Sequence, residues 1–97
     1  MFKGWITRQE EAELPAFKDY KEAFDYFMDK YPNSFELESV EEIGGQKCYF
    51  CALIVDRETY FIGRRKLMQG HAVTGMEFPQ SYQPIQIMQD GSVHIVH

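Results

Sequence analysis

The feature that most constrains the fold is an uninterrupted apolar run of eight residues from Cys48 to Val55. This run has the length of a strand and falls far short of the roughly 20 residues that a membrane-spanning helix needs. Because side chains alternate along a strand, both faces of this strand are apolar. The segment Gln46–Asp56 is therefore predicted to be the central strand of a sheet.

A second periodic segment predicts one amphipathic helix over Tyr20–Tyr31. Its large apolar side chains recur every three or four residues and share one helical face: Tyr20, Phe24, Phe27, Met28 and Tyr31. Asp19 and Glu22 have the spacing of a capping box at the helix start. Pro32 is expected to end the helix, because the residue before a proline is disfavoured in the α region.

Two glycine-containing turns predict hairpins. Gly44-Gly45 would join a half-exposed strand that begins at Phe35 to the central strand. Asp90-Gly91 would join Ile85–Met88 to Ser92–Val96, and the Asp-Gly pair suits a type I′ turn. In the strand that begins at Phe35, alternation places Glu36 and Glu38 on the solvent side, where charges discourage edge-to-edge association.

The remaining segments have weaker signals. Phe2–Thr7 is predicted to be a first strand, the charged stretch Arg8–Pro15 a loop, and Thr59–Arg64 a returning strand after a turn at residues 56–58. Residues 66–83 follow no clear period, and a short strand at His71–Val73 or at Met76–Phe78 remains open.

Together these elements predict a single α+β domain over residues 1–97. One amphipathic helix would pack on a mainly antiparallel sheet of five to seven strands, in the order β-α-β-β-β-(β)-β-β, because short turns join antiparallel neighbours. The first strand could pair in parallel through the helical crossover. The second face of the sheet would be closed by curling, by residues 66–83 or by a second subunit.

The charge distribution limits the class of partner. The chain has a net charge of −5, and residues 1–45 hold eleven acidic and five basic side chains, a net of −6. Nucleic-acid binding depends on a basic surface, so a nucleic-acid partner is not expected. The N-terminus has no apolar signal segment and no run is long enough to cross a membrane, so no membrane partner is expected. With only two cysteines, a cytoplasmic location is expected.

Four residues have the nominal composition of a zinc site. Cys48 and Cys51 form C-x-x-C, and His94 and His97 form H-x-x-H. Residues three apart on a strand point to opposite faces and lie ~10 Å apart, which is too far for either shared ligation or a disulfide. We therefore expect buried structural cysteines and no cofactor, with a metal site on these four residues as an alternative.

A basic segment is the candidate binding site. Arg64, Arg65 and Lys66, followed by His71, could hold an anion or an acidic partner, because arginine offers a bidentate fork to carboxylates and phosphates. The bland alternative is a solvated basic surface.

No local signature frames a catalytic site. Cys51, Ser81 and Ser92 could act as nucleophiles with His71 or His94, but no motif surrounds them, and Gly44-Gly45 joins two strands rather than opening a helix. The sequence favours a small non-enzymatic interaction protein whose partner is a second copy or another protein. The alternatives are metal binding, or a small enzyme or anion-ligand protein that uses the basic segment.

Overall fold

Four strands form one antiparallel sheet in a computed structural model that describes residues 5–73, 75 and 77–97. The spatial order is the chain order: β1 (Phe35–Ile43), β2 (Gln46–Ile54), β3 (Tyr82–Met88) and β4 (Val93–Ile95). Three helices accompany the strands in the described chain: α1 (Arg8–Ala12), α2 (Tyr20–Lys30) and α3 (Arg57–Met68). A short 3₁₀ turn at Pro79–Ser81 leads into β3.

The central strand and both hairpins are confirmed. β2 lies between β1 and β3 with antiparallel pairing on each side. Gly44 and Gly45 have φ values of 58° and 83°, the left-handed geometry of a type I′ turn, which glycine adopts without a steric penalty. β3 and β4 form the second hairpin, across residues 89–92. The predicted type I′ turn at Asp90-Gly91 is wrong, because that turn needs a positive φ at both residues and only Gly91, at 91°, has one.

The amphipathic helix is also confirmed, as α2. The carboxylate of Asp19 accepts a hydrogen bond from the N–H of Glu22 at 2.9 Å and so caps the first turn. Ala23 and Phe27 are fully buried, and the Phe27 ring stacks on Phe35 of β1 with centroids 5.2 Å apart. The main core therefore lies between α2 and one face of the sheet, which we call the α2 side.

The predicted start of the chain is wrong where it can be compared. Phe2 to Gly4 lie outside the described residues, and Trp5–Thr7 form no strand, so the described chain has no parallel pair. Residues 8–12 are a helix rather than a loop. Thr7 and Glu10 form a capping box there, with main-chain to side-chain hydrogen bonds of 3.0 and 3.1 Å.

The predicted strand Thr59–Arg64 is helical, as part of α3. Asp56 does not begin a simple turn: it caps the helix by accepting a hydrogen bond from the N–H of Thr59 at 3.2 Å. The described chain therefore contains four strands and three helices, and the expected five to seven strands with one helix is incorrect. His71–Val73 is not a strand, and the alternative Met76–Phe78 begins at a residue outside the described part.

Helix α3 covers part of the second face of the sheet, which we call the α3 side. Tyr60 of α3 is fully buried and packs with Ala52 and Ile54 of β2. Phe78, from the segment before β3, and Tyr82, the first residue of β3, complete this smaller core. The cover is therefore α3 and part of residues 66–83, within the chain itself.

A buried amide ties the two ends of the described chain to the sheet. Gln83 of β3 accepts a hydrogen bond from the N–H of Ile6 at 2.7 Å and donates to the carbonyls of Ile6 and Val96 at 3.1 and 3.2 Å. In the described part of the chain, no helix is long and apolar enough to cross a membrane.

Candidate functional site

A β-bulge in β1 shapes the candidate site. Leu37 pairs with Cys51 and Ser39 pairs with Phe50, so Glu38 is an extra residue in β1. Its side chain points to the α3 side and is only partly exposed. The expectation that Glu38 is solvent-facing and merely keeps the edge soluble is therefore wrong, because α3 covers this position.

Glu38 binds two side chains of α3, and we call these three residues the Glu38 cluster. The Tyr60 hydroxyl donates to the Glu38 carboxylate at 2.6 Å. Arg64 Nη1 donates to the same carboxylate oxygen at 2.6 Å and to the Tyr60 hydroxyl at 2.8 Å. Burial raises the pKa of Tyr60, and its hydrogen bond to Glu38 raises that pKa further. The cluster therefore fastens α3 to β1.

One stripe of α3 runs alongside β1. Arg57, Phe61, Arg64 and Met68 recur at helical spacing and share a face. Arg57 donates to the main-chain carbonyl of Asn33, which lies just before β1, and its guanidinium stands 5.1 Å from the centroid of the Phe61 ring. Since Arg57 reaches the start of β1 and Arg64 reaches its bulge, α3 and β1 run in the same direction. Phe61 and Met68 are 37% and 81% exposed beside the strand.

The outer edge of β1 presents unpaired main-chain groups. The N–H of Ile54 donates to the carbonyl of Ser34 at 2.6 Å, which sets the phase of the β1–β2 ladder. Alternation from that pair, interrupted by the bulge, directs the N–H groups of four residues away from β2: Phe35, Leu37, Val40 and Glu42. Within residues 5–73, 75 and 77–97, none of these four N–H groups has a hydrogen-bond partner.

The opposite edge of the sheet is treated differently. β4 is only three residues long, and the outward N–H of Ile95 donates to a carboxylate oxygen of Glu11 at 3.3 Å. The other oxygen of Glu11 lies 2.6 Å from Nε2 of His97. These contacts lower the pKa of Glu11, the hydrogen bond to His97 most of all. One edge is therefore short and capped by a side chain, whereas nine residues of β1 form a long open edge.

The structure separates the residues of the predicted basic site. Arg64 is paired within the Glu38 cluster, whereas Arg65 and Lys66 are exposed on other faces of the last turn of α3. His71 is exposed, and its N–H donates to the carbonyl of Lys66 at 2.9 Å. Lys66 and His71 are therefore joined by a main-chain hydrogen bond, whereas the Arg64 side chain is directed toward Glu38.

The four nominal zinc ligands are also kept apart. Cys48 and Cys51 are buried on opposite faces of β2, and burial raises the pKa of Cys51 to about 12. His94 is exposed and pairs across the sheet with Gln86, while His97 binds Glu11. No group of three or more potential ligands among the described His, Cys, Asp and Glu residues could hold a metal ion.

Sequence reasoning treated the strand that begins at Phe35 as an edge but missed its exposed apolar residues and its neighbours on α3. Leu37 and Val40, on the α2 side of β1, are 43% and 46% exposed, although alternation alone assigns such residues to a core. A nine-residue strand next to a two-residue hairpin was the available signal for an edge. The position of Phe61 and Met68 had none, because residues 59–64 suit a strand as well as a helix. No protein-family model, curated protein or solved structure matches this chain.

Proposed function

We propose that this is a small non-enzymatic interaction protein that binds an extended segment of another protein by strand addition to β1. The open outer edge of β1 is the observation that carries this proposal. Strand addition obtains its affinity from main-chain hydrogen bonds and its specificity from alternate side chains. Phe35, Leu37, Val40 and Glu42 supply the main-chain groups for that pairing.

The Glu38 cluster supports this function by holding α3 next to the edge. An added strand would lie outside β1 by the ~4.8 Å that separates neighbouring strands. On the α3 side, its side chains would then meet the exposed stripe that contains Phe61 and Met68.

The hydrogen bonds and pKa values of the polar side chains favour binding over catalysis. Arg64 and the Tyr60 hydroxyl both hydrogen-bond to Glu38, so their polar atoms are engaged in fastening α3. Neither cysteine is a ready nucleophile, because burial raises the pKa of both thiols. The proposal includes a cytoplasmic location, since the chain has only two cysteines and no disulfide joins them.

A displayed library of random 12-residue peptides, selected against the whole chain, tests the proposal. Selected peptides are expected to bind the wild-type protein and to shift the amide NMR signals of Leu37 and Val40. Val40→Pro removes one outward N–H, and we expect a loss of affinity of about fivefold, since one main-chain hydrogen bond contributes roughly 1 kcal/mol.

Val40→Thr is the matched control, because it keeps the branched shape and the N–H group. Chemical N-methylation of Val40 provides a second variant if the proline disturbs folding, which circular dichroism reveals. Peptides that bind equally well to all of these variants would contradict strand addition, as would a selection that yields no binder.

A further inference from the structure

The two sides of the β1 edge offer different chemistry to an added strand. Side chains of that strand would alternate between the α2 side and the α3 side. On the α2 side they would meet Leu37 and Val40, which are apolar and half-exposed. On the α3 side they would meet the row of β1 that contains Glu36, Ser39 and Glu41.

The α3 side has unpaired negative charge. β1 contains four glutamates and no basic residue. Arg64 neutralises Glu38, but neither Glu36 nor Glu41 has a hydrogen bond or an ion pair within the described part of the chain. These two carboxylates therefore stand on either side of a neutralised position, on the side from which α3 approaches.

Apolar surface lies next to the same carboxylates. Because α3 and β1 run in the same direction, Phe61 falls alongside the first half of β1 and Met68 alongside the second half. Lysine and arginine suit such a surface, because their aliphatic stems pack on apolar groups while their charged ends reach carboxylates. A neutral or acidic side chain of the added strand would leave the carboxylates of Glu36 and Glu41 without an ion-pair partner.

From this arrangement we infer that the added segment carries lysine or arginine at alternate positions, facing α3, and apolar residues between them, facing Leu37 and Val40. This inference rests on the proposed strand addition and names the chemistry of its partner. A second copy of β1 does not fit, since it would bring four more glutamates and no base to the edge. Like charges placed opposite each other destabilise a strand pair.

Two nine-residue peptides test the inference directly. In one, lysine alternates with valine; in the other, glutamate alternates with valine; both have blocked ends and a fluorescent label. The lysine peptide is expected to bind the whole protein at least tenfold more tightly than the glutamate peptide, as measured by fluorescence anisotropy at low salt. A lysine peptide of the same composition with its residues in two blocks controls for unspecific charge attraction.

Variants of the protein locate the effect. Glu36→Gln combined with Glu41→Gln is expected to weaken binding of the lysine peptide about three- to tenfold, because two exposed ion pairs are lost. Glu13→Gln, an exposed carboxylate near α1, is the matched control and should change nothing. Glu36→Lys with Glu41→Lys is expected to reverse the preference toward the glutamate peptide.

The outcomes separate this inference from the function on which it rests. Equal binding of the two alternating peptides, with both weakened by Val40→Pro, would overturn the inferred charge preference and leave strand addition in place. Binding that ignores Val40→Pro would contradict strand addition itself. A dimer in analytical ultracentrifugation that Val40→Pro dissociates would assign the edge to a second copy and overturn the inference.

Discussion

The hydrogen bond between Tyr60 and Glu38 should give a measurable coupling energy in a double-mutant cycle. Tyr60→Phe removes only the hydroxyl, and Glu38→Ala removes the carboxylate that accepts its hydrogen bond at 2.6 Å. Hydrogen bonds to charged groups contribute about 1.5–3 kcal/mol to stability. Since the Glu38 side chain is 21% exposed, water replaces part of this bond, and we expect coupling of about 1.5 kcal/mol.

Urea unfolding of the four proteins, followed by circular dichroism, measures this quantity. For a chain of this size, the free energy of unfolding falls by about 1 kcal/mol per molar urea. The coupling energy then appears as a deviation of about 1.5 M from additive midpoint shifts. Glu36→Ala is the matched control, because Glu36 lies on the same side of β1 and has no bond to Tyr60. The Glu36 cycle is expected to give less than about 0.5 kcal/mol. If the Glu38 cycle gives no more than that, the cluster does not fasten α3 to β1.

Three further predictions concern stability. Gln83→Leu should cost about 3 kcal/mol or more in urea unfolding, because two buried main-chain groups of Ile6 and one part-buried carbonyl of Val96 lose their partners. Gln86→Leu on the same strand should stay within about 0.5 kcal/mol, and equal losses would disprove the role of the amide. Gly63→Ala should lower the melting temperature, because the added methyl carbon would stand 2.1 Å from the Phe78 ring, although alanine usually favours helices. Adding Phe78→Leu should restore part of the lost stability. A Gly63→Ala variant that melts at a higher temperature than the wild type would refute this packing. Burial holds the folded-state pKa of Tyr60 above its ordinary value of 10.0, so the free energy of unfolding should be intact below pH 10 and decline above it. The decline should be less steep in Tyr60→Phe. Identical stability profiles of the wild type and Tyr60→Phe from about pH 9 to 11 would contradict this.

The parts of the fold that were predicted correctly are those with local signals. The Asp19 cap and the apolar stripe are enough to define α2, since helix caps and helical spacing act within a few residues. Gly44-Gly45 closes a two-residue turn for the same reason, as its positive φ angles are a property of glycine itself. The helix at residues 8–12, predicted as a loop, also has a local signal, because Thr7 and Glu10 have the spacing of a capping box.

Residues 59–64 show where local signals end. Their apolar residues fit either period, and the Asp56 cap is weak evidence without a partner for the helix. The helix is stabilised by contacts with distant residues, including the hydrogen bond from Tyr60 to Glu38, 22 positions earlier, and the packing of Phe78 on Gly63. No sequence pattern within α3 predicts its contacts with Glu38 and Phe78.

The sequence by itself determined the amphipathic helix, the two hairpins, the central strand and the opposite orientations of its two cysteines, because dihedral preferences and side-chain alternation are local properties. The tertiary structure alone decided that residues 57–68 form a helix over the second face, that Glu38 joins Tyr60 and Arg64, and that β1 keeps an open edge while Glu11 caps the other. These outcomes depend on which distant groups come within hydrogen-bonding or packing distance, and only the folded chain sets those distances.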